Sequence, residues 1–305
     1  MNGAIRKMMI NIKEFLRKEN IKKPLFLLAV SAVTVVAEVI RELNTFCVRR
    51  YEISSEKIKE KIKIVFLSDL HGKVYGTNNY KLVYAVKREK PDIILVGGDM
   101  LTRADESTDV IAYELMKNLV KIAPVYLGNG NHEQKMREYP EYYNGRYEEY
   151  IDAVEELGVH VLENDSTVII CNGTKLSIAG LEVPVKCYTH FKDIPLEMKE
   201  ITSRIGSADK SVFQILMAHT PVYAEIYKKW GADLTLSGHL HGGIVRLPFI
   251  GGVITPQVKF FPRYSGDMYK DETHYSIVSR GLGTHTVNIR YLNRAELVSV
   301  VLKEK

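Results

Sequence analysis

The chain has 305 residues, 46% hydrophobic and 26% charged, which is the composition of a globular protein with a substantial core. Its formal net charge is +5, but the basic excess lies mainly in the first 23 residues, which favours a membrane surface over nucleic acid and predicts no nucleic-acid-binding module. Three cysteines form no even set and lack metal-type spacing, so they support neither a disulfide framework nor a zinc ribbon.

The N-terminal 40 residues carry two different patterns. Residues 1–23 place apolar side chains at steps of three and four between basic ones, which predicts a basic amphipathic helix on the cytoplasmic membrane face. A helix packed on the protein's own core is the alternative. Residues 24–40 are apolar except for Ser31, Thr34 and Glu38, and their length is the lower limit for a transmembrane anchor. Basic residues are denser before this segment than after it, which predicts a single-pass protein of the cell membrane with the remainder outside the cytoplasm.

Strands and helices alternate after a linker over residues 41–58, which we expect to end in an edge strand over residues 48–53. Short runs of β-branched and aromatic residues predict strands, and apolar steps of three and four predict helices. The predicted strands are residues 62–67, 92–96 and 125–127, and the predicted helices between them are residues 79–90 and 109–122. This alternation predicts a parallel sheet covered by helices.

The C-terminal half predicts further strands. A hairpin is expected around Asn172-Gly173, because this pair favours a tight turn. Further strands are predicted over residues 212–217, 234–236, 276–278, 287–291 and 297–302, with a helix over residues 222–230. The tyrosine-rich run 139–150 is either an insert or the start of a helix that continues to Leu157.

Polar side chains follow five of these strands. They are Asp69 and His71, then Asp99, then Asn131 and His132, then His219, and finally His239 and His241. Open α/β sheets place their sites at the carboxyl ends of their strands, so we expect these side chains to converge. Carboxylates, an amide and imidazoles, with one carboxylate shared between two ions, are the inventory of a dinuclear metal site.

These residues resemble a known family. The set Asp-x-His, Gly-Asp, Gly-Asn-His-Glu, His before Thr-Pro and Gly-His-x-His agrees in order and spacing with the calcineurin-like metallophosphoesterases. Ser-Arg-Gly-Leu-Gly at residues 279–283 is similar to the membrane-anchored bacterial phosphohydrolases of this family, although their usual Pro-Glu is Ala295-Glu296 here. The resemblance implies an α/β fold for a catalytic domain over residues 59–305. Its architecture would be a four-layer α-β-β-α sandwich of two mixed sheets.

The resemblance also implies the role of each candidate residue. One divalent ion would be held by Asp69, His71, Asp99 and His241, and a second by Asp99, Asn131, His219 and His239. The oxygen and nitrogen ligands suit manganese, iron or zinc without choosing among them. His132 would stand beside the substrate phosphate and protonate the leaving group or bind a phosphoryl oxygen. Whether Glu133 orients His132 stays open.

Two further residues are candidate substrate contacts. Arg103 follows Asp99 by four residues, although a solvated surface arginine is an equal alternative, and His285 follows the Ser-Arg-Gly-Leu-Gly run. The remaining histidines, His160, His190 and His274, are interpreted as structural. The apolar run 247–253 is interpreted as ordinary packing, with the lining of a lipid-binding entrance as the alternative.

The expected function is hydrolysis of a phosphate monoester or diester by metal-activated water, with lipid-linked phosphates among the candidate substrates. An alternative within enzymes is a pyrophosphatase acting on a UDP-diacylglucosamine-like nucleotide lipid. An alternative of another class is a non-catalytic metal-binding scaffold, which predicts that ligands have decayed, whereas all seven proposed ligands and His132 are present. The oligomeric state has no signal in the sequence.

Overall fold

The computed structural model describes residues 26–188, 194–255, 259–284 and 287–305. The chain divides into an N-terminal unit, residues 1–41, and a larger unit, residues 42–305. A helix, α1, covers residues 26–44. Among the described residues, no helix is both long and apolar enough to cross a membrane. The anchor predicted over residues 24–40 is therefore not confirmed, and the amphipathic helix predicted over residues 1–23 lies outside the described residues.

The larger unit contains a six-stranded mixed sheet. Its strands, in spatial order, are β1 (Phe46–Ser54), β14 (Ala295–Lys303), β2 (Ile62–Leu67), β3 (Ile93–Val96), β4 (Val125–Leu127) and β5 (His160–Val161). Strands β2 to β5 are parallel to one another, β14 is antiparallel to β2, and β1 is parallel to β14. The edge strand predicted at residues 48–53 is therefore confirmed as β1, and it belongs to the sheet of the larger unit.

A second six-stranded sheet is also mixed. Its strands, in spatial order, are β12 (Asp267–Asp271), β13 (His274–Val278), β9 (Leu234–Ser237), β8 (Phe213–Ala218), β7 (Thr174–Leu181) and β6 (Asp165–Cys171). The predicted hairpin is confirmed, because β6 and β7 pair antiparallel around Asn172 and Gly173. Two short strands, β10 (Val245–Leu247) and β11 (Gly251–Ile254), form a separate antiparallel pair.

The two large sheets pack face to face with helices outside. Strand side chains point alternately to opposite faces. Ile64 and Phe66 of β2 pack with Ile215 of β8 in the core between the sheets. Val65 and Leu67 pack against the helices on the other side. Because both faces of β2 are covered, its sequence is apolar at nearly every position, as in a buried parallel strand.

The described part of the larger unit contains seven further α-helices. They are α2 (Tyr80–Glu89), α3 (Ser107–Leu119), α4 (Asn131–Glu138), α5 (Pro140–Tyr143), α6 (Arg146–Glu156), α7 (Met198–Ile205) and α8 (Ala224–Trp230). Helices α2, α3 and α6 share an apolar cluster with the first sheet, and α7 and α8 share one with the second. These contacts give four layers, α-β-β-α, so the predicted mixed α/β fold with two mixed sheets is confirmed.

One prediction differs from the structure, and the helix alternative for the tyrosine-rich run is confirmed. The strand predicted over residues 287–291 is wrong, because the segment has no regular ladder and Tyr291 makes only an isolated bridge with Val245. Arg290 is fully buried and donates instead to the carbonyls of Arg280 and Gly283, so side-chain bonds hold this segment. The tyrosine-rich run forms two helices, α5 and the start of α6, separated at residues 144–145 by two left-handed residues.

Candidate metal centre

The candidate ligands meet at the carboxyl ends of strands from both sheets. Asp69 and His71 follow β2, Asp99 follows β3, and Asn131 begins the helix after β4. From the second sheet, His219 follows β8, and His239 and His241 follow β9. All seven are described residues, and the structure brings carboxylates and imidazoles from the two sheets within 4 Å of one another. The convergence expected from the strand ends is therefore present.

One group combines Asp69, His71 and His241. One ligand atom from each lies within 4.8 Å of the others. His241 Nε2 is 3.3 Å from His71 Nε2 and 3.5 Å from Asp69 Oδ1. His71 Nε2 is also 3.6 Å from Asp99 Oδ2, so Asp99 lies at the edge of this group.

A second group combines Asp99, His219 and His239, whose ligand atoms again lie within 4.8 Å of one another. His219 Nε2 is 3.1 Å from Asp99 Oδ2, and the rings of His219 and His239 are 5.3 Å apart. Asn131 is buried at the start of α4, in the chain segment that follows β4. Asp99 is therefore the carboxylate that links the two groups.

The imidazoles are oriented for ligation through Nε2. His219 Nδ1 donates to the Gly97 carbonyl at 2.8 Å, and His241 Nδ1 donates to the Gly283 carbonyl at 3.1 Å. In a neutral imidazole, a proton on Nδ1 leaves Nε2 as a lone-pair donor, which is the usual arrangement around metal-bound histidines. Both Nε2 atoms face carboxylate oxygens.

The donor set fits a cation. Asp69 Oδ2, Asn131 Oδ1 and His219 Nε2 are buried and have no hydrogen-bond partner among the described residues. Buried polar atoms in native proteins are rarely left without a partner. Burial lowers the pKa of His219, but the carboxylates of Asp99 and then Asp69 outweigh it and raise the pKa to about 10. The buried carboxylates therefore attract positive charge to this place, and a divalent ion is one that these donors fit.

The backbone of the centre is strained. Asp69, His71, Asp99, His239 and His241 all have φ between 46° and 69°. Residues with a Cβ seldom adopt this left-handed region, and such residues cluster at active sites and ligand clamps. A close approach of the loops adds a further constraint, because a Cβ on Gly130 would stand 2.2 Å from Asp99 Oδ1.

Glu133 positions the Asp99 loop. Its carboxylate accepts from the backbone N–H groups of Asp99 at 2.8 Å, Leu101 at 2.9 Å and Gly130 at 3.0 Å. Burial, and then the neighbouring Asp99, raise the pKa of Glu133 to about 7. The open question about Glu133 is therefore answered, since its carboxylate bonds to backbone rather than to the His132 ring. Its position three residues after the N-cap of α4 is the sequence signal that could have indicated this role.

His132 lies beside the first group without belonging to the predicted ligands. Its backbone N–H donates to Asp99 Oδ1 at 2.9 Å, and its ring lies 5.0 Å from the ring of His71. The Arg103 backbone N–H donates to His132 Nδ1 at 3.1 Å, which places the proton of the neutral ring on Nε2. His132 Nε2–H is therefore a donor held in a fixed tautomer.

Of the two candidate substrate contacts, Arg103 and His285, the structure describes Arg103. Arg103 reaches the site through its backbone, and its guanidinium lies 3.4 Å from the Tyr143 hydroxyl. His285 lies outside the described residues. Sequence reasoning missed Tyr188, which packs edge-on against His239 at 5.0 Å and had no motif to indicate it.

The other histidines lie away from the two ligand groups. His160 is exposed and stacks on Tyr126 at 4.9 Å. His274 is buried and makes one hydrogen bond, to Thr235 Oγ1 at 3.0 Å. His274 agrees with a structural role, His160 lies at the surface rather than in a buried, hydrogen-bonded position, and His190 lies outside the described residues.

Comparison with known proteins gives matches that agree with this geometry. Residues 62–243 match the family model described as calcineurin-like phosphoesterase. An uncharacterized metallophosphoesterase of Aquifex aeolicus is 30% identical over 282 residues, covering 90% of this chain and 98% of that protein. The metallophosphoesterase YkuE of Bacillus subtilis is 28% identical, covering 79% of each chain. The phosphodiesterase YaeI of Escherichia coli is 25% identical, covering 73% of this chain and 75% of that protein.

Proposed function

The chain belongs to the calcineurin-like phosphoesterases, which are metal-dependent hydrolases of phosphate esters, and from this premise we propose that it is a membrane-bound phosphodiesterase with two divalent ions. The observation that carries the proposal is the convergence of two ligand groups that share Asp99. It has the composition of a dinuclear site, in which one carboxylate serves both ions.

The proposed ligand sets extend the two groups. Asp69, His71, Asp99 and His241 would hold one ion, and Asp99, Asn131, His219 and His239 would hold the other. When bound, the two ions supply a water of lowered pKa and neutralise charge on the phosphate. Manganese, iron and zinc all accept these oxygen and nitrogen donors.

The residues of the chain supply orientation and a hydrogen-bond donor. His132 donates a hydrogen bond from Nε2–H to the leaving-group oxygen or to a phosphoryl oxygen and keeps its proton, because the Arg103 backbone N–H already occupies Nδ1 and the ring is neutral. Glu133 holds the loop that carries Asp99, and the carbonyls of Gly97 and Gly283 fix the rings of His219 and His241. These contacts preorganise the site before substrate binds.

The name of one relative supports the proposed substrate class. The Escherichia coli relative is named a phosphodiesterase, which supports a diester over a monoester for this chain. Monoesters and pyrophosphates are the alternative substrates, so they belong in the same assay.

Membrane association rests on the N-terminal segment. The side chains of Phe26, Leu27, Leu28 and Val33 in α1 are exposed, each by more than 60%. Contiguous exposed apolar side chains on a helix mark a membrane or protein contact, and the basic residues before α1 favour an anionic membrane. The protein is held at the cell membrane by this segment, with the larger unit outside the cytoplasm.

Chelation and substrate assays test the proposed function. The full chain is assayed on bis-p-nitrophenyl phosphate, p-nitrophenyl phosphate and a UDP-linked lipid, before and after EDTA treatment. We expect the diester to be the best substrate, EDTA to lower turnover by about 100-fold or more, and added Mn²⁺, Fe²⁺ or Zn²⁺ to restore it. Undiminished turnover after complete metal removal would contradict the metal centre. A metal-loaded chain that hydrolyses none of the three would favour the scaffold.

A further inference from the structure

The short sheet β10–β11 exposes a cluster of large apolar side chains. Residues 248–250 connect its two strands, and the segment 259–261 continues it, because the Phe261 N–H donates to the Val253 carbonyl at 2.9 Å. On the other side, the Arg246 N–H donates to the Tyr291 carbonyl at 3.0 Å. The exposed cluster, called here the apolar tip, comprises Leu247, Phe249, Ile250, Phe260, Phe261 and Leu292. The interpretation of residues 247–253 as ordinary packing is therefore wrong at 247, 249 and 250.

Three members of the apolar tip have a strained backbone. Phe249, Phe261 and Leu292 have φ of 66°, 47° and 53°. Of the non-glycine residues with positive φ in the described ranges, these alone carry large apolar side chains, the others being Asp, Asn, His, Lys or Glu. A bulky residue in this region costs on the order of 1–3 kcal/mol. Since the side chains are exposed, packing within the chain does not offset that cost.

The apolar tip lies next to the metal centre and next to the start of the larger unit. Asn293 connects these places, because its side-chain amide donates to the carbonyls of His241 and Gly243. Its backbone N–H donates to the carboxylate of Glu42, which is the first residue of the larger unit. Asn293 therefore links Glu42 of the larger unit to the loop that carries His241 and to the beginning of the short sheet.

We propose that the apolar tip inserts into a lipid bilayer and presents the metal centre to lipid-linked phosphate esters. This inference rests on the proposed function and narrows its substrate class. Phe249 is 109% exposed, so its side chain is fully accessible to solvent. Basic residues flank the phenylalanines, since Lys259 precedes Phe260 and Arg263 follows Phe261 by two positions. Aromatic side chains with adjacent basic ones are the composition of segments that bind the interface of anionic membranes.

A bilayer fits these features better than a protein partner does. A protein interface has a flat or concave core of packed side chains surrounded by a polar rim. The apolar tip is instead a projection at a turn, and a fluid acyl-chain phase accommodates a projection of any shape.

Depth-sensitive fluorescence tests the insertion separately from the N-terminal segment. The full chain is reconstituted in vesicles of phosphatidylcholine and phosphatidylglycerol, with and without bromine on the acyl chains. Phe249→Trp places a reporter in the apolar tip, and Ile170→Trp places one on strand β6 as the control, because Ile170 is 77% exposed. The single native tryptophan, Trp230, is 6% exposed and supplies the background measured in the parent chain.

We expect brominated lipid to quench the emission of Phe249→Trp by about half and that of Ile170→Trp by about a tenth or less, as for an interfacial compared with an aqueous side chain. Equal quenching of the two reporters overturns the proposal. A blue-shifted Phe249→Trp emission in lipid-free dimers, with no quenching by brominated lipid, also overturns it and favours a second copy as the partner.

A substrate comparison tests the second half of the proposal. The double variant Phe249→Ser/Phe261→Ser should lose about 10-fold in hydrolysis of a phosphodiester lipid in vesicles, because its contact with the bilayer is weakened, and keep its turnover of bis-p-nitrophenyl phosphate. Ile170→Ser is the matched control and should keep both. Equal rates of parent and double variant on the vesicle substrate overturn the lipid assignment. If the parent chain does not hydrolyse the soluble diester, the proposed function is contradicted instead. The quenching experiment still tests insertion, because it does not depend on catalytic activity.

Discussion

Replacing Asp99 with asparagine should remove bound metal and nearly all turnover. Asp99 Oδ2 lies 3.1 Å from His219 Nε2 and 3.6 Å from His71 Nε2, so the same oxygen faces both ligand groups. Asparagine keeps the size of the side chain but removes the negative charge that a bridging ligand shares between two cations. Losing at least about 4 kcal/mol of transition-state stabilisation corresponds to a loss of about 1,000-fold or more in kcat/KM.

The measurement pairs metal analysis with kinetics. Asp99→Asn and the parent chain are compared for metal per chain and for hydrolysis of bis-p-nitrophenyl phosphate. Asp152→Asn is the matched control, because Asp152 is an exposed residue of α6 and the same change there should leave both quantities unaltered. An Asp99→Asn chain that binds two ions and retains a tenth of the parent activity would contradict the role of Asp99 as the shared ligand.

Replacing His132 with alanine should slow turnover by about 100-fold while the chain keeps its metal, which is the usual size of the loss when one hydrogen-bond donor to the developing charge is removed. His132 is close enough to His71 and Asp99 to be counted as a ligand on distance alone. The bond from the Arg103 N–H to Nδ1 assigns the ring a different role, since it leaves a proton on Nε2. A ring nitrogen that carries a proton donates to substrate and does not ligate a cation.

The leaving group distinguishes a hydrogen bond to the leaving oxygen from a structural role. A nitrophenolate spreads its negative charge over the ring, whereas an alkoxide keeps the charge on oxygen and is stabilised more by a hydrogen-bond donor. The defect of His132→Ala should therefore be larger for a diester with an alkyl leaving group than for bis-p-nitrophenyl phosphate. His160→Ala serves as the control, because His160 is exposed and stacks on Tyr126. Loss of metal from His132→Ala, or an equal defect on both substrates, would contradict the assignment.

Much of the site follows from the sequence because its ligands are local to strand ends. Residues that directly follow a buried strand lie at the edge of the sheet where the strands end. This is why the carboxylate of Asp69 and the imidazole of His71 lie where we expected. The contacts that position the ligands leave no such pattern in the sequence. Glu133 acts on a loop 34 residues before it in the chain, and Tyr188 reaches His239 from a different element, so only the tertiary structure reveals them.

The fold was predictable where the hydrophobic pattern of a segment alone determines its secondary structure. The apolar runs of β2 to β4 and the stripes of α2 and α3 gave the parallel half of the first sheet. The strand predicted at residues 287–291 failed because a buried guanidinium, Arg290, satisfies backbone carbonyls that a sheet ladder otherwise satisfies. The hydrophobic pattern also failed to predict that the apolar tip is exposed, because an apolar run gives no indication of whether its side chains are buried.

Anomalous diffraction from crystals of the metal-loaded chain tests the dinuclear centre most directly. Two peaks should lie about 3.5–4 Å apart on either side of Asp99, the usual spacing of a two-metal site. One peak should be bound by Asp69, His71 and His241, and the other by Asn131, His219 and His239. A single peak, or two peaks that do not share Asp99, would contradict the account.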